Sequence, residues 1–268
     1  MKKPLHVRLL ETFFPLRFFL ARLTRFAPLR KIINRLYFEH DHMVYVPRDT
    51  VIAVNRDVAP PESLVVPSRL VEHFVEEASH RWIMNFCICR DANQCRDYPQ
   101  ELGCLFLGEA SRHIDPRLGR PASREEALEH LRKCREAGLV HLIGRNKLDA
   151  AWLKVEPEDR LMTICNCCPC CCLWLMLPHL DEEISAKVAK MPGVEVTVGP
   201  ECTGCGTCVK VCFVGAITLE DGRAVIGADC RGCGRCAEVC PQGAIEVSIS
   251  QEALDRARDR IAARVDVS

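Results

Sequence analysis

Nineteen of the 268 residues are cysteine, an odd number, and most stand two or three residues apart in blocks. Sulfurs that close in sequence cross-link poorly, but they converge readily on one metal centre. Residues 202–212 read CTGCGTCVKVC and residues 230–240 read CRGCGRCAEVC, an internal repeat offset by 28 residues with C-x2-C-x2-C-x3-C spacing in both copies. Glycines recur between the cysteines at 204, 206, 232 and 234, where the backbone must wrap tightly and offer N–H groups to sulfur. Thiolate-only ligand sets select iron–sulfur clusters or zinc. Zinc ribbons lack both the fourth cysteine and the repeat, so the pattern points to paired iron–sulfur centres.

With these residues in view, the stretch 195–250 resembles a bacterial-type ferredoxin domain with two 4Fe–4S clusters. The resemblance implies one cluster on Cys202, Cys205, Cys208 and Cys240, and a second on Cys212, Cys230, Cys233 and Cys236. Such a pair, close together and fixed, suits electron relay. The sequence departs from the pattern once: Pro241 follows the fourth cysteine of the second run, whereas Phe213 occupies that place in the first. Hydrogen bonding or exposure should therefore differ at one cluster. The alternation of Val194, Val196 and Val198, the Asp221-Gly222 turn between Ile217/Leu219 and Ala224/Ile226, and the alternation of Ile245, Val247 and Ile249 predict the strands that frame the clusters. The 245–249 strand should pair with 194–198.

Ten further cysteines form two groups: Cys87, Cys89, Cys95 and Cys104, then Cys165, Cys167, Cys168, Cys170, Cys171 and Cys172 in ICNCCPCCCLWL. The first group has enough thiols for a third 4Fe–4S cluster. The second cannot place all its thiols on one cubane, because adjacent side chains diverge on a regular backbone. It can share ligands with the first group, hold a cluster of unusual geometry, bind zinc, or leave free thiols for disulfide chemistry. Its adjacent pairs are similar to those of heterodisulfide reductase catalytic subunits, whose wider spacing is absent here. Cys134, alone on a helix, reads as a small buried hydrophobe. CICR (87–90), LFLG (105–108), EEALEHLRKCREAGLVH (125–141) and NCCPCCC (166–172) together resemble ferredoxin-domain proteins of anaerobic microbes. That resemblance implies a further metal centre and names no reaction.

The elements that must position these thiols give an α+β fold with four parts: a basic amphipathic helical segment (1–40), a cysteine-rich mixed helix/strand domain (41–190), the two-cluster domain (191–250) and a C-terminal helix (251–268). The first 40 residues carry nine Lys/Arg against Glu11 and Glu39, and six of the ten phenylalanines. Pro15 and Pro28 should open short helices there. One would turn Leu16, Phe19, Leu20, Leu23 and Ala27 to one face and Arg17 to the other; the next would line up Leu29, Ile32, Ile33, Leu36 and Tyr37. Such helices pack on their own domain, dock on a redox partner, or lie on a membrane surface.

In the middle part, Val44/Val46 and Val51/Ile52 read as short strands, Pro60, Pro61 and Pro67 as a linker, and Ser68 as the cap of a helix. Ser123 and Glu126 form a capping box for a second helix ending at Gly138. A winged helix is a distant possibility for 123–147. The terminal helix, with Leu254, Ala257, Ile261 and Val265 on one face, should pack on the ferredoxin domain or a partner. Arg90, Arg96 and Arg112 are candidate counter-charges for a cluster, and His40-Asp41-His42 reads as a turn.

Lys plus Arg equals Asp plus Glu at 36 each, so no global field recruits nucleic acid, and none is expected as a partner. Charges interrupt the apolar N-terminus, which excludes a signal peptide and predicts a cytoplasmic chain with room for peripheral membrane contact. No phosphate-binding loop, dinucleotide fingerprint or Ser-His-Asp set is present. The favoured function is an iron–sulfur electron carrier relaying electrons through two ferredoxin clusters to or from a further centre and a redox partner. The competing function is an oxidoreductase with a substrate-reactive centre at NCCPCCC.

Overall fold

The computed structural model describes residues 3–49 and 67–268, with the backbone alone at 52 and 53. The strand residue Val51 and the linker prolines Pro60 and Pro61 lie outside the described residues. A seven-stranded sheet organises the middle of the chain. Its strands are β1 (His42–Tyr45), β3 (Arg81–Met84), β4 (Leu105–Leu107), β5 (Gly119–Pro121), β6 (Val140–Arg145), β7 (Met162–Cys167) and β8 (Val188–Lys190), while β2 (Ile52–Ala53) belongs to a separate sheet. The order is β5-β3-β4-β7-β6-β1-β8, antiparallel throughout except for the β1–β8 pair. Because β6 is central, between β7 and β1, the segment after the capping-box helix is a core strand and not a wing.

The N-terminal helices are α1 (Leu5–Phe13), α2 (Arg17–Leu23) and α3 (Ala27–Tyr37), with a 3-10 turn at Phe14–Leu16. Between the strands lie α4 (Ser68–Glu77), α5 (Ile88–Ala92), α6 (Arg124–Glu136), α7 (Lys147–Leu153) and α8 (Glu182–Ser185). The capping box on α6 forms as expected, with Ser123 accepting from the Glu126 N–H and Glu126 from the Ser123 N–H. Ser68 is not a cap: it lies inside the first turn of α4, and its own N–H donates to Asp49 Oδ1 at 2.9 Å.

Period-two alternation gives the sheet two apolar faces. Val44, Leu105, Leu107, Ile143, Met162 and Ile164 pack beneath α4 and α6. Met43, Tyr45, Val140 and Leu142 pack with Trp174 and Leu177 on the opposite side, where Phe106 joins Trp82, Leu153 and Leu161.

The C-terminal unit has the expected strands. β9 (Glu195–Val198) pairs antiparallel with β12 (Ile245–Ser248), and β10 (Ile217–Glu220) forms a hairpin with β11 (Arg223–Ile226). β2 adds to β12 in parallel, so the middle of the chain contributes a strand to the cluster-bearing unit. Short helices α9 (Thr207–Val211) and α10 (Arg235–Glu238) occupy equivalent places in the repeat. The last helix, α11 (Gln251–Ala262), turns Leu254, Ala257 and Ile261 into the large core, with Val265 just beyond it, where α4 and residues Met191, Val194 and Val247 meet, so it packs on both the middle of the chain and the C-terminal unit. Among the described residues no helix is long and apolar enough to cross a membrane.

Candidate metal centres

The repeat builds two thiol sets of matched design. Gly206 and Gly234 cap α9 and α10 in the left-handed region, at φ 74° and 83°, a turn that costs glycine nothing and other residues strain. After each run, the identical Gly-Ala-Ile returns a backbone N–H to the fourth cysteine. Ala216 donates to Cys212 Sγ at 3.2 Å, and Ala244 to Cys240 Sγ at 3.3 Å. The N–H groups of Ala224 and Gly232 likewise point at Cys202 and Cys230. Donors aimed at sulfur stabilise thiolates, so this donor set fits the iron–sulfur clusters the motif implies.

Cys202, Cys205, Cys208 and Cys240 line one small cleft, and Cys205 is exposed to solvent. N–H groups from Ala224 and Gly204 hold the Cys202 thiol below its ordinary pKa. The other set faces inward. Cys212, Cys230 and Cys233 pack against the core that contains Tyr45, Cys167, Cys172 and Trp174, and burial pushes Cys236 up to about 12. Phe213 lies 5.2 Å from the Tyr45 ring, centroid to centroid. The residue that breaks the repeat therefore helps to join the inner thiol set to the sheet.

The ten cysteines of the other two sequence groups do not sort in space by those groups. Strand parity divides them. Cys165 and Cys167 alternate on β7 toward the side facing the N-terminal helices, where they meet Cys87, Cys89, Cys104 and Cys172. Cys172 Sγ is 3.2 Å from Cys167 Sγ, and Cys104 Sγ is 4.0 Å from Cys165 Sγ. These six, together with Cys168, line a cavity of about 350 Å³ beneath α1–α3, walled by Leu10, Phe14, Leu20, Trp152, Trp174 and Met176. Beyond the end of β7 the chain turns, and Cys168, Cys170 and Cys171 gather around Cys95. Cys95 thus leaves the first sequence group, so Cys87, Cys89, Cys95 and Cys104 do not form one four-thiol centre. Cys134 is fully buried beside this second gathering, with its sulfur 3.7 Å from His130 Nε2, and burial raises it to about 12.

Two buried cations face the cavity. Arg90 is completely buried and donates to the carbonyls of Pro99 (2.8 Å), Asn166 (2.8 Å) and Leu102. Burial works against its charge, yet the thiols of Cys87, Cys168 and Cys104 raise its pKa. Arg17, expected on the solvent side of its helix, is buried instead. It stacks on Phe14 and Phe18, and its Nε has no partner among the described residues. Burial lowers its pKa, opposed by the thiols of Cys89, Cys172 and Cys171. A third arginine, Arg235 on α10, is buried and donates to the Cys167 carbonyl. By contrast Arg96 and Arg112 are exposed.

Within the cavity, hydrogen bonds from Cys165 and Cys172 bring Cys167 well below an ordinary thiol pKa despite burial, and Arg235 and Arg90 add to the effect. A hydrogen bond from Cys89 outweighs burial and, with Arg90, brings Cys87 down to about 7.

His40, Asp41 and His42 form no ligand set. Burial raises Asp41 to about 7 against the Lys147 N–H it accepts at 2.7 Å, and burial lowers His42 to about 4.

Residues 201–245 match the family model of a 4Fe-4S dicluster domain. Comparison with curated proteins and with solved structures returned no match. This segment is similar to an iron–sulfur module, and the chain is an iron–sulfur protein on that match and its thiol sets.

Proposed function

We propose that this chain is an electron carrier with an outer cluster, an inner cluster and a further iron–sulfur centre in the thiol-lined cavity. Cys202, Cys205, Cys208 and Cys240 hold the outer cluster, where a redox partner exchanges electrons through the exposed Cys205 edge. Cys212, Cys230, Cys233 and Cys236 hold the inner one. When bound, the clusters supply one-electron transfer with little rearrangement. The chain's own residues fix the spacing: Phe213 against Tyr45, and Arg235 between α10 and the Cys167 carbonyl. The observation that carries the reading is this continuity of inner thiols, Tyr45 and cavity thiols in one packed core.

Protein prepared under strict anaerobiosis should contain about twelve irons with matching labile sulfide, four per cluster. Reduced samples should show magnetic coupling between the two ferredoxin clusters. A count near eight would remove the cavity centre, and protein free of iron would remove the whole proposal.

One observation favours a second reading. The cavity offers seven thiols where a cubane uses four, with room beside them. On this reading the unspent thiols act on a thiol or disulfide substrate. Spectral changes of the cavity centre on adding such compounds would favour it, and indifference to all of them would sink it.

A further inference from the structure

We propose that Cys95, Cys168, Cys170 and Cys171 hold a single tetrahedral metal ion, zinc or iron, and not a cubane. Their four sulfurs all lie within 4.8 Å of one another. Cys170 Sγ is 3.7 Å from Cys95 Sγ and 3.6 Å from Cys171 Sγ. One ion with metal–sulfur bonds of 2.3 Å in a tetrahedron sets its ligand sulfurs about 3.8 Å apart. A cubane puts a separate iron behind each thiolate, so its ligand sulfurs must stand further apart. The chain carries its own yardstick. Among the described residues, the eight thiols of 202–240 form no such tight group, although the dicluster resemblance fills both of those sets with cubanes.

The surroundings agree with a closed structural site. Cys95, Cys168 and Cys171 are buried and only Cys170 is exposed. N–H groups of Asp97 and Tyr98 point at the Cys95 sulfur, the Gln100 side chain holds the Cys95 carbonyl at 2.9 Å, and Asn93 reaches the Cys171 carbonyl at 3.4 Å. Four thiolates fill a tetrahedral ion and keep no position open for substrate. The ion would pin the loop after α5 to the loop after β7. Those two segments also carry Cys104 and Cys172 of the cavity, so the pin sets the cavity's shape.

The test is metal analysis of the anaerobically prepared full chain with X-ray absorption at the zinc and iron edges. About one ion per chain should show a sulfur-only shell with no metal neighbour. Cobalt in its place should give the strong visible bands of a tetrahedral thiolate complex. Cys170→Ser, at the exposed ligand, should lose that ion while the iron and sulfide of the clusters stay unchanged. Loss of about four irons with their sulfide in this variant would reveal a cubane and overturn the inference. A wild-type chain with no ion besides its clusters would overturn it equally. Should the variant not fold, the absorption data on the wild type decide alone. The inference stands apart from the electron-transfer reading: a colourless chain holding one zinc would sustain it and end the relay.

Discussion

Arg17 and Arg90 are the two cations that line the thiol cavity, and they do different work. Arg90 is spent on three carbonyls, and it ties the 99–102 loop to the end of β7. Arg90→Met would strand those acceptors, so it should cost about 3 kcal/mol of stability. Anaerobic denaturant unfolding reads this directly, and a loss below measurement would contradict the assignment. Arg17 has an unspent Nε and faces Cys89 and Cys172. Removing its charge disfavours an added electron, so Arg17→Leu should lower the midpoint potential of the cavity centre by on the order of 50 mV. Arg17→Lys should restore most of that, and an unchanged potential in a redox titration would exclude Arg17 as a counter-charge. Arg90 was legible because it follows CxC directly. Arg17 was not: its helix shows apolar residues on more than one side, and only the tertiary contact with the thiols decides which side turns in.

At the scale of elements, β7 does the sorting. With Ile164 and Met162 committed to the α4/α6 face, Cys165 and Cys167 must point the other way, and the turn after Cys167 frees Cys168 to face Cys95. That parity was present in MTICNC as a period-two pattern; what hid it was the cysteine density, which drew attention to spacing along the chain and away from sides of a strand. The ferredoxin strands and the α6 capping box were readable because their signals are local. The docking of α11 on α4, and of β2 on β12, depends on contacts distant in sequence that no periodicity announces.

The first residues of the sheet carry a pH signature. Asp41 has a folded pKa of about 7, raised by burial above that of an unfolded aspartate. A raised acid contributes stability that is full below its unfolded pKa and is lost as pH rises through the folded value. Anaerobic thermal unfolding of the wild type should therefore show stability declining from about pH 4 to about pH 7 and levelling off above that, and Asp41→Asn should flatten that slope. Equal slopes in the two proteins would acquit Asp41.

For the whole molecule, the N-terminal helices present the least settled surface. Phe19 is 59% exposed and Ile32 56%, and Leu5, Phe13, Leu16, Phe26 and Leu36 are exposed with them, interleaved with exposed Arg8, Arg22, Arg25, Lys31 and Arg35. Apolar and cationic groups on one surface fit the interface of an anionic bilayer. The paired change Phe19→Ser and Ile32→Ser should abolish sedimentation with phosphatidylglycerol vesicles and leave the iron content unchanged. A wild type that ignores such vesicles would end the membrane reading. Of the eight ferredoxin thiols Cys205 is exposed, whereas Cys208 and Cys236, one from each set, are buried. Air should therefore reach the Cys205 set first: brief exposure to oxygen should bleach its signal before that of the Cys212 set, so that damage runs from the rim inward.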